Sequence, residues 1–166
     1  MKNRASASSS LKKAVVLGFE GNISKGYLDP AVLGKSEALD LLTPEGSHES
    51  IRLSEVKSVC FVREFEESFE PPRKTFLSRP KLDGVWVRLR FTDSDSMEGI
   101  VANNLLELLD AGVQLTPPDL HGNIARIFIP RTSLSEIKVL GVVGVARRTA
   151  RPLPESLPAQ PRLFDE

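Results

Sequence analysis

Two histidines, His48 and His121, and a set of carboxylates that includes Asp93, Asp95 and Asp119 have the widest chemical repertoire in this chain. An imidazole can hold a metal or move a proton. A metal site needs three or four convergent ligands, and a catalytic imidazole needs a nucleophile and an orienting group. Neither histidine has a cysteine or a second histidine in its own loop, so both read as solvated loop residues. Asp93-Ser94-Asp95-Ser96 falls in an expected hairpin turn, where Asp and Ser bond their own backbone, and it lacks the oxygen spacing of a calcium loop. Cys60 is the sole cysteine and sits in the apolar run Ser58-Val59-Cys60-Phe61-Val62, where it reads as a small buried hydrophobe. Gly141-Val142-Val143-Gly144 lacks the Lys-Ser/Thr that completes a phosphate loop. These readings assign no catalytic residue, no metal ligand and no cofactor, and they describe a non-enzymatic chain.

Binding is the remaining class, and two segments are candidates for it. Thr116, Pro117, Pro118, Asp119, His121, Asn123 and Arg126 form a polar, proline-stiffened loop that is longer than its counterpart Pro44 to Ser50. Loops on a rigid scaffold carry binding more often than strands do. Near the C-terminus, Gln160-Pro161-Arg162-Leu163-Phe164 resembles the Gln-x-x-Leu-Phe peptide that docks bacterial proteins on the DNA sliding clamp, through Gln160, Leu163 and Phe164. An extended apolar pair suits a surface pocket. Both segments point to a protein partner.

Two ligand classes compete with that reading. Asn22-Ile23-Ser24-Lys25-Gly26-Tyr27 resembles the Asp/Asn-x-Ser-x-x-Gly segment of PilZ domains, which bind a cyclic dinucleotide. The segment has Tyr27 where that family has Gly, and only Arg4 precedes it where a pair of arginines would clasp phosphates. An Sm-like nucleic-acid binder is the second alternative. The chain carries 22 basic and 22 acidic residues, a formal charge of zero. Lys13 to Val62 holds five basic and seven acidic residues, and Asp83 to Ala146 five and eight. Mildly acidic folded regions disfavour broad contact with a phosphate backbone, so nucleic acid is not the expected partner.

The elements that would position these residues read as strands. Ala14-Val15-Val16-Leu17-Gly18-Phe19 and Trp86-Val87-Arg88-Leu89-Arg90-Phe91 are β-branched and aromatic runs that end in Phe and lead through a polar turn to Gly26 and Gly99. Leu41-Leu42-Thr43-Pro44 then matches Gln114-Leu115-Thr116-Pro117, and Ser54-Glu55-Val56-Lys57 matches Ser135-Glu136-Ile137-Lys138. The tetrapeptide reads as a single 3₁₀ turn, and about five residues are inserted around Pro130-Arg131-Thr132. This ordered series points to two tandem copies of one five-stranded unit. The expected fold is all-β: two small SH3/Sm-like barrels packed together, residues 13–62 and 83–146. A unit of about 55 residues is marginal alone, so the two should share apolar surface. Residues 63–82 form a linker whose Phe65, Phe69 and Phe76 are too apolar to hang free. Residues 1–12, and the Arg/Pro-rich stretch 147–166, read as disordered tails. The first of these lacks the apolar core of a secretory signal, and no run approaches the roughly 18 apolar residues of a membrane span, so a cytoplasmic location is expected. Asn104 to Asp110 reads either as one or two helical turns or as a strand extension.

Taken together, Lys25-Gly26-Tyr27, Val56 to Phe65, Thr116-Pro117-Pro118-Asp119, Asn123 and Arg126-Ile127-Phe128-Ile129-Pro130 resemble a family of uncharacterised bacterial domains. The resemblance covers about Lys13 to Gly144. It implies tandem small barrels in the Sm-like and SH3-like style, often found beside signal-transduction modules, and so a binding or scaffolding role in bacterial signalling.

Overall fold

Strands form where β-branched and apolar residues run together, and they stop at Gly, Asn, Asp, Ser and Pro. The structure, a computed structural model, describes residues 10–108 and 111–144. Gln160, Leu163 and Phe164 lie outside these, as do both expected tails apart from residues 10–12. The first half contains β1 (Lys12–Gly18), β2 (Ile23–Leu28), β3 (Ala38–Leu42), β4 (His48–Arg52) and β5 (Val56–Val62). The second contains β6 (Gly84–Phe91), β7 (Ser96–Val101), the short helix α1 (Leu105–Leu108), β8 (Gly112–Leu115), β9 (Ile124–Pro130) and β10 (Leu134–Val143). Single 3₁₀ turns stand at Pro30–Val32, Leu53–Glu55 and Arg131–Ser133.

The strands are antiparallel and lie in two sheets, a seven-stranded one ordered β4-β3-β2-β1-β5-β9-β8 and a three-stranded one ordered β10-β6-β7. One isolated bridge, Ile100 to Thr116, links β7 to β8. The fold is all-β apart from α1, but among the described residues neither sheet closes into a barrel. The two halves are not separate either, because β9 of the second half adds directly to β5 of the first, with Cys60 opposite Ile127. The cause lies in β5. Val59 and Phe61 face one apolar cluster while Cys60 and Val62 face another, so the strand is buried on both sides and takes a central place. The first cluster is the core of the first half: Ala14, Val16, Leu28, Leu39, Leu41, Val56, Val59 and Phe61, joined by Phe128 from β9. The second gathers Val87, Leu89, Met97, Leu115, Ile127 and Ile129 with Val15 and Leu17 from β1.

One hydrogen-bond pattern occurs twice. The Gly18 N–H donates to Asn22 O at 2.9 Å, and the Phe91 N–H to Asp95 O at 2.8 Å. Between them stand residues with positive φ, Gly21 at 82° and Ser94 at 70°. The Leu53 N–H donates to Glu37 O at 2.8 Å, and the Arg131 N–H to Ala111 O at 2.9 Å. These bonds set Gly18, not Phe19, in the place of Phe91. The β3–β4 and β8–β9 registers likewise set Leu41, not Leu42, in the place of Leu115. Similar side chains therefore misplace the correspondence by one residue, which exchanges the faces of a strand. Val15 and Leu17 accordingly meet the second half rather than their own core. Ser54 and Glu55 lie in a 3₁₀ turn, whereas Ser135-Glu136-Ile137-Lys138 lies inside β10, because the turn of the second half is Arg131–Ser133.

Candidate binding groove

The segment from Arg63 to Asp83 crosses the molecule and is fixed at both ends. At its start, the Asn123 carboxamide accepts from the Glu64 N–H and donates to Glu64 O, both at 2.9 Å. Arg63 adds bonds from its N–H to Asn123 O at 2.9 Å and from Nε to Gly122 O at 3.2 Å. Lys25 donates to Glu66 O, and Phe65 meets the Tyr27 ring edge-on with centroids 5.5 Å apart. At the far end Glu98 is buried on β7. Its carboxylate accepts from the Phe76 N–H and Trp86 Nε1, each at 3.2 Å, and from Arg88 at 3.0 Å, while its N–H donates to Lys74 O. Burial alone would raise the Glu98 pKa, but these donors outweigh it and hold the carboxyl below its ordinary value. Lys25 and Glu98 occupy matching places, each one residue before the glycine of its strand, and each grips one end of the crossing segment.

Between that segment and the two hairpins runs a groove of about 370 Å³. Its floor is Leu17, Phe91 and Met97, and Phe69, Pro71 and Pro72 of the crossing segment wall one side. The first hairpin supplies Phe19 and Ile23, the latter 48% exposed. Lys57 stands on the rim with its Nζ 2.7 Å from Asp93, 3.0 Å from Asp95 and 4.8 Å from the centroid of the Phe91 ring. Lys74 pairs with Asp95 at 2.5 Å. Burial opposes the Lys57 charge, but the two aspartates overcome it and raise its pKa. Lys74, then Lys57 and the Ser96 N–H, hold Asp95 down at about 2. The rim charges therefore answer one another, and the apolar floor is what remains for a ligand.

The loop residues singled out from the sequence do not share one surface. Pro117, Asp119 and Asn123 line a smaller cleft of about 160 Å³ beside Glu66, Glu70 and Arg73. Pro117 is fully buried, and Asn123 already holds the crossing segment. Thr116 exchanges backbone bonds with Ile100. It lines a different depression of about 390 Å³ together with Arg126, Glu107 and Phe128. His121 is exposed, and its N–H donates to Asp119 at 3.3 Å. His48 pairs with Asp40 at 2.9 Å and is far from His121 in the strand order, at the opposite end of the seven-stranded sheet. Pro118 is half-buried beside them. The PilZ-like segment is engaged within the fold: Ser24 bonds Glu49 at 3.1 Å, and a Cβ on Gly26 would lie 2.5 Å from Leu42 O. Among the described residues no three His, Cys, Asp or Glu side chains are placed to hold a metal ion. No described helix is long and apolar enough to cross a membrane.

Sequence reasoning passed over Glu98, Lys57 and Ile23. A usable signal existed for Glu98: a lone acid inside Met97-Glu98-Gly99-Ile100-Val101, with Arg88 on the neighbouring strand.

A family model of unknown function, DUF6982, matches residues 10–141. The chain belongs to that family. The DUF6982 domain thus takes in all ten strands, ending within β10, together with the crossing segment and the groove. Neither the curated proteins nor the solved structures contain a match to it.

Proposed function

We propose that this chain is a non-enzymatic protein-binding module that holds an extended, apolar segment of a partner protein in the groove between its two hairpins. One observation carries the reading: Leu17, Phe91 and Met97 form an apolar floor under an exposed Ile23, while the charges on the rim neutralise one another. A ligand there gains from burial of aliphatic or aromatic side chains, not from charge. Prolines at 71 and 72 stiffen one wall, which lowers the ordering cost of binding.

The same reading takes the chain as a duplicated five-strand unit, an open relative of the SH3-like and Sm-like barrels. The recurring hydrogen bonds at Gly18 and Phe91, and at Leu53 and Arg131, support it. So does the return of the fifth strand beside the first in each half, β5 on β1 and β10 on β6. A place in bacterial signalling rests on the family resemblance alone.

Selection of phage-displayed random peptides on the full chain tests the groove. Peptides with two or more large apolar residues should be enriched, and Ile23→Lys should weaken their binding at least tenfold with an unchanged melting curve. Binding that survives Ile23→Lys but fails with Arg126→Ala would move the site to the loop of the second half. Failure to enrich any peptide would refute the proposal.

A further inference from the structure

Strand β10 is ten residues long and ends the three-stranded sheet, with β6 as its one strand partner among the described residues. An unpaired edge of that length is a template for another strand, and soluble proteins usually shield it with charge, proline or a bulge that twists it away. Here β10 is bulged against β6 between Leu134 and Glu136 and again between Val139 and Gly141, and the second bulge turns Val142 to the same face as Ile137 and Val139, so the edge still carries an apolar row. Ile137, Val139 and Val142 are 37%, 58% and 63% exposed. Their cross-strand neighbours on β6 are Leu89, Val87 and Val85, all buried in the core of the second half. The row is thus the outer margin of the core-facing side of the sheet, left open to water.

The first half shows what such a strand requires. Strand β5 follows its 3₁₀ turn as β10 follows its own, and each turn is closed by the N–H of the next residue, Val56 or Leu134. Counting from those residues, Val59 and Phe61 match Ile137 and Val139. Val59 and Phe61 are buried because β9 lies along the second edge of β5 and sets Phe128 opposite Val59. β10 lacks that neighbour among the described residues. Among the described residues the counterpart of β9 in the first half is β4, at one end of the seven-stranded sheet, whose residues opposite such a row would be the polar His48, Glu49 and Ser50. Among the described residues, therefore, the chain holds an apolar edge without an apolar edge to receive it, except its own in another copy.

We propose that β10 pairs antiparallel with β10 of a second copy of this chain, joining the two three-stranded sheets into one of six strands. The contact is isologous, so a two-fold axis makes the row complementary to itself. An axis between Val139 and Leu140 sets Ile137 across from Val142 of the second copy. It sets Lys138 across from Gly141 and so keeps like charges apart. Main-chain bonds supply affinity, and the paired apolar rows supply the preference for this edge. Arg79, which donates to Val142 O at 3.4 Å, marks one end of the free stretch.

Sedimentation equilibrium of the full chain, with and without Val139→Lys, is the experiment. Concentration-dependent dimers are expected, with dissociation at least tenfold easier in Val139→Lys and an unchanged circular dichroism spectrum. Val142→Lys is the second variant and should act alike. Under mild oxidation, Val139→Cys should give a disulfide-linked dimer and Glu49→Cys should not. A chain that stays monomeric at all concentrations overturns the proposal, as do dimers indifferent to both lysines. Cross-linking through Glu49→Cys in place of Val139→Cys overturns it as well, since it would assign the contact to β4. Because the groove and β10 are probed by different variants, the failure of one proposal leaves the other standing.

Discussion

Strands β5 and β10 close the two halves of the molecule in the same way, yet one lies in the middle of a sheet and the other at an edge. Their sequences account for the difference. Ser58-Val59-Cys60-Phe61-Val62 is apolar on both faces, so it gains by taking neighbours on both sides. Glu136-Ile137-Lys138-Val139 alternates, with its charges on the outer face opposite Arg90 and Arg88. Position in the chain thus sets which strand returns to which, while side-chain pattern sets how much is buried there.

The largest effect that would break this comparison is at Val59 and Val139. Val59 is 0% exposed, and Val59→Ala should cost about 2–3 kcal/mol in a urea titration. Val139→Ala, measured on dilute monomer, should change stability by less than about 0.5 kcal/mol. Equal costs would mean that β10 is covered as deeply as β5.

Next come the paired glycines. A Cβ on Gly26 would stand 2.5 Å from the Leu42 carbonyl oxygen and 2.7 Å from Leu41. On Gly99 its nearest neighbour at 2.5 Å is the movable end of Leu115, and the Thr116 oxygen lies farther off at 3.1 Å. Gly26→Ala should therefore cost about 1–3 kcal/mol and Gly99→Ala clearly less, compared by thermal melts.

The hairpin turns give a smaller contrast. Ser94 holds φ at 70°, where Gly21 holds 82° in the first turn. A Cβ is unfavourable in that region, so Ser94→Gly should stabilise by up to about 1 kcal/mol and Gly21→Ser should destabilise by a similar amount.

The smallest effect is on pH dependence. Asp95 is held at about 2 by Lys74 and Lys57, whereas the first turn has the non-titrating Asn22 in its place. A depressed carboxylate adds stability above its ordinary value of 3.8, and that stability is lost as pH falls from there toward about 2. Asp95→Asn should flatten the acid side of the stability curve between those values.

The strands were legible because their residues carry intrinsic β preference, and the turns because Gly21, Asn22, Asp93 and Ser94 sit where chain reversal needs them. The ring contacts of the crossing segment followed from composition, since Phe65, Phe69 and Phe76 are costly to leave in water. Sheet membership was not legible. Nothing local to β9 states that Ile127 will lie opposite Cys60 rather than stay in a barrel of its own half. That choice depends on how much apolar surface β5 offers on its second face, a non-local quantity. The groove was missed for a related reason. Its wall and floor come from segments as distant as Leu17, Pro72 and Met97, and each reads alone as ordinary core or linker.

Cys60 lies at the seam where β5 meets β9, fully buried, with its thiol pushed up by that burial to about 12. At neutral pH it is both shielded and almost wholly protonated, so an alkylating reagent has no thiolate to attack while the seam is closed. Each alkylation event then records one opening of the junction between the halves. As the sole cysteine of the chain, it serves as a built-in stopwatch for how often the two halves part company.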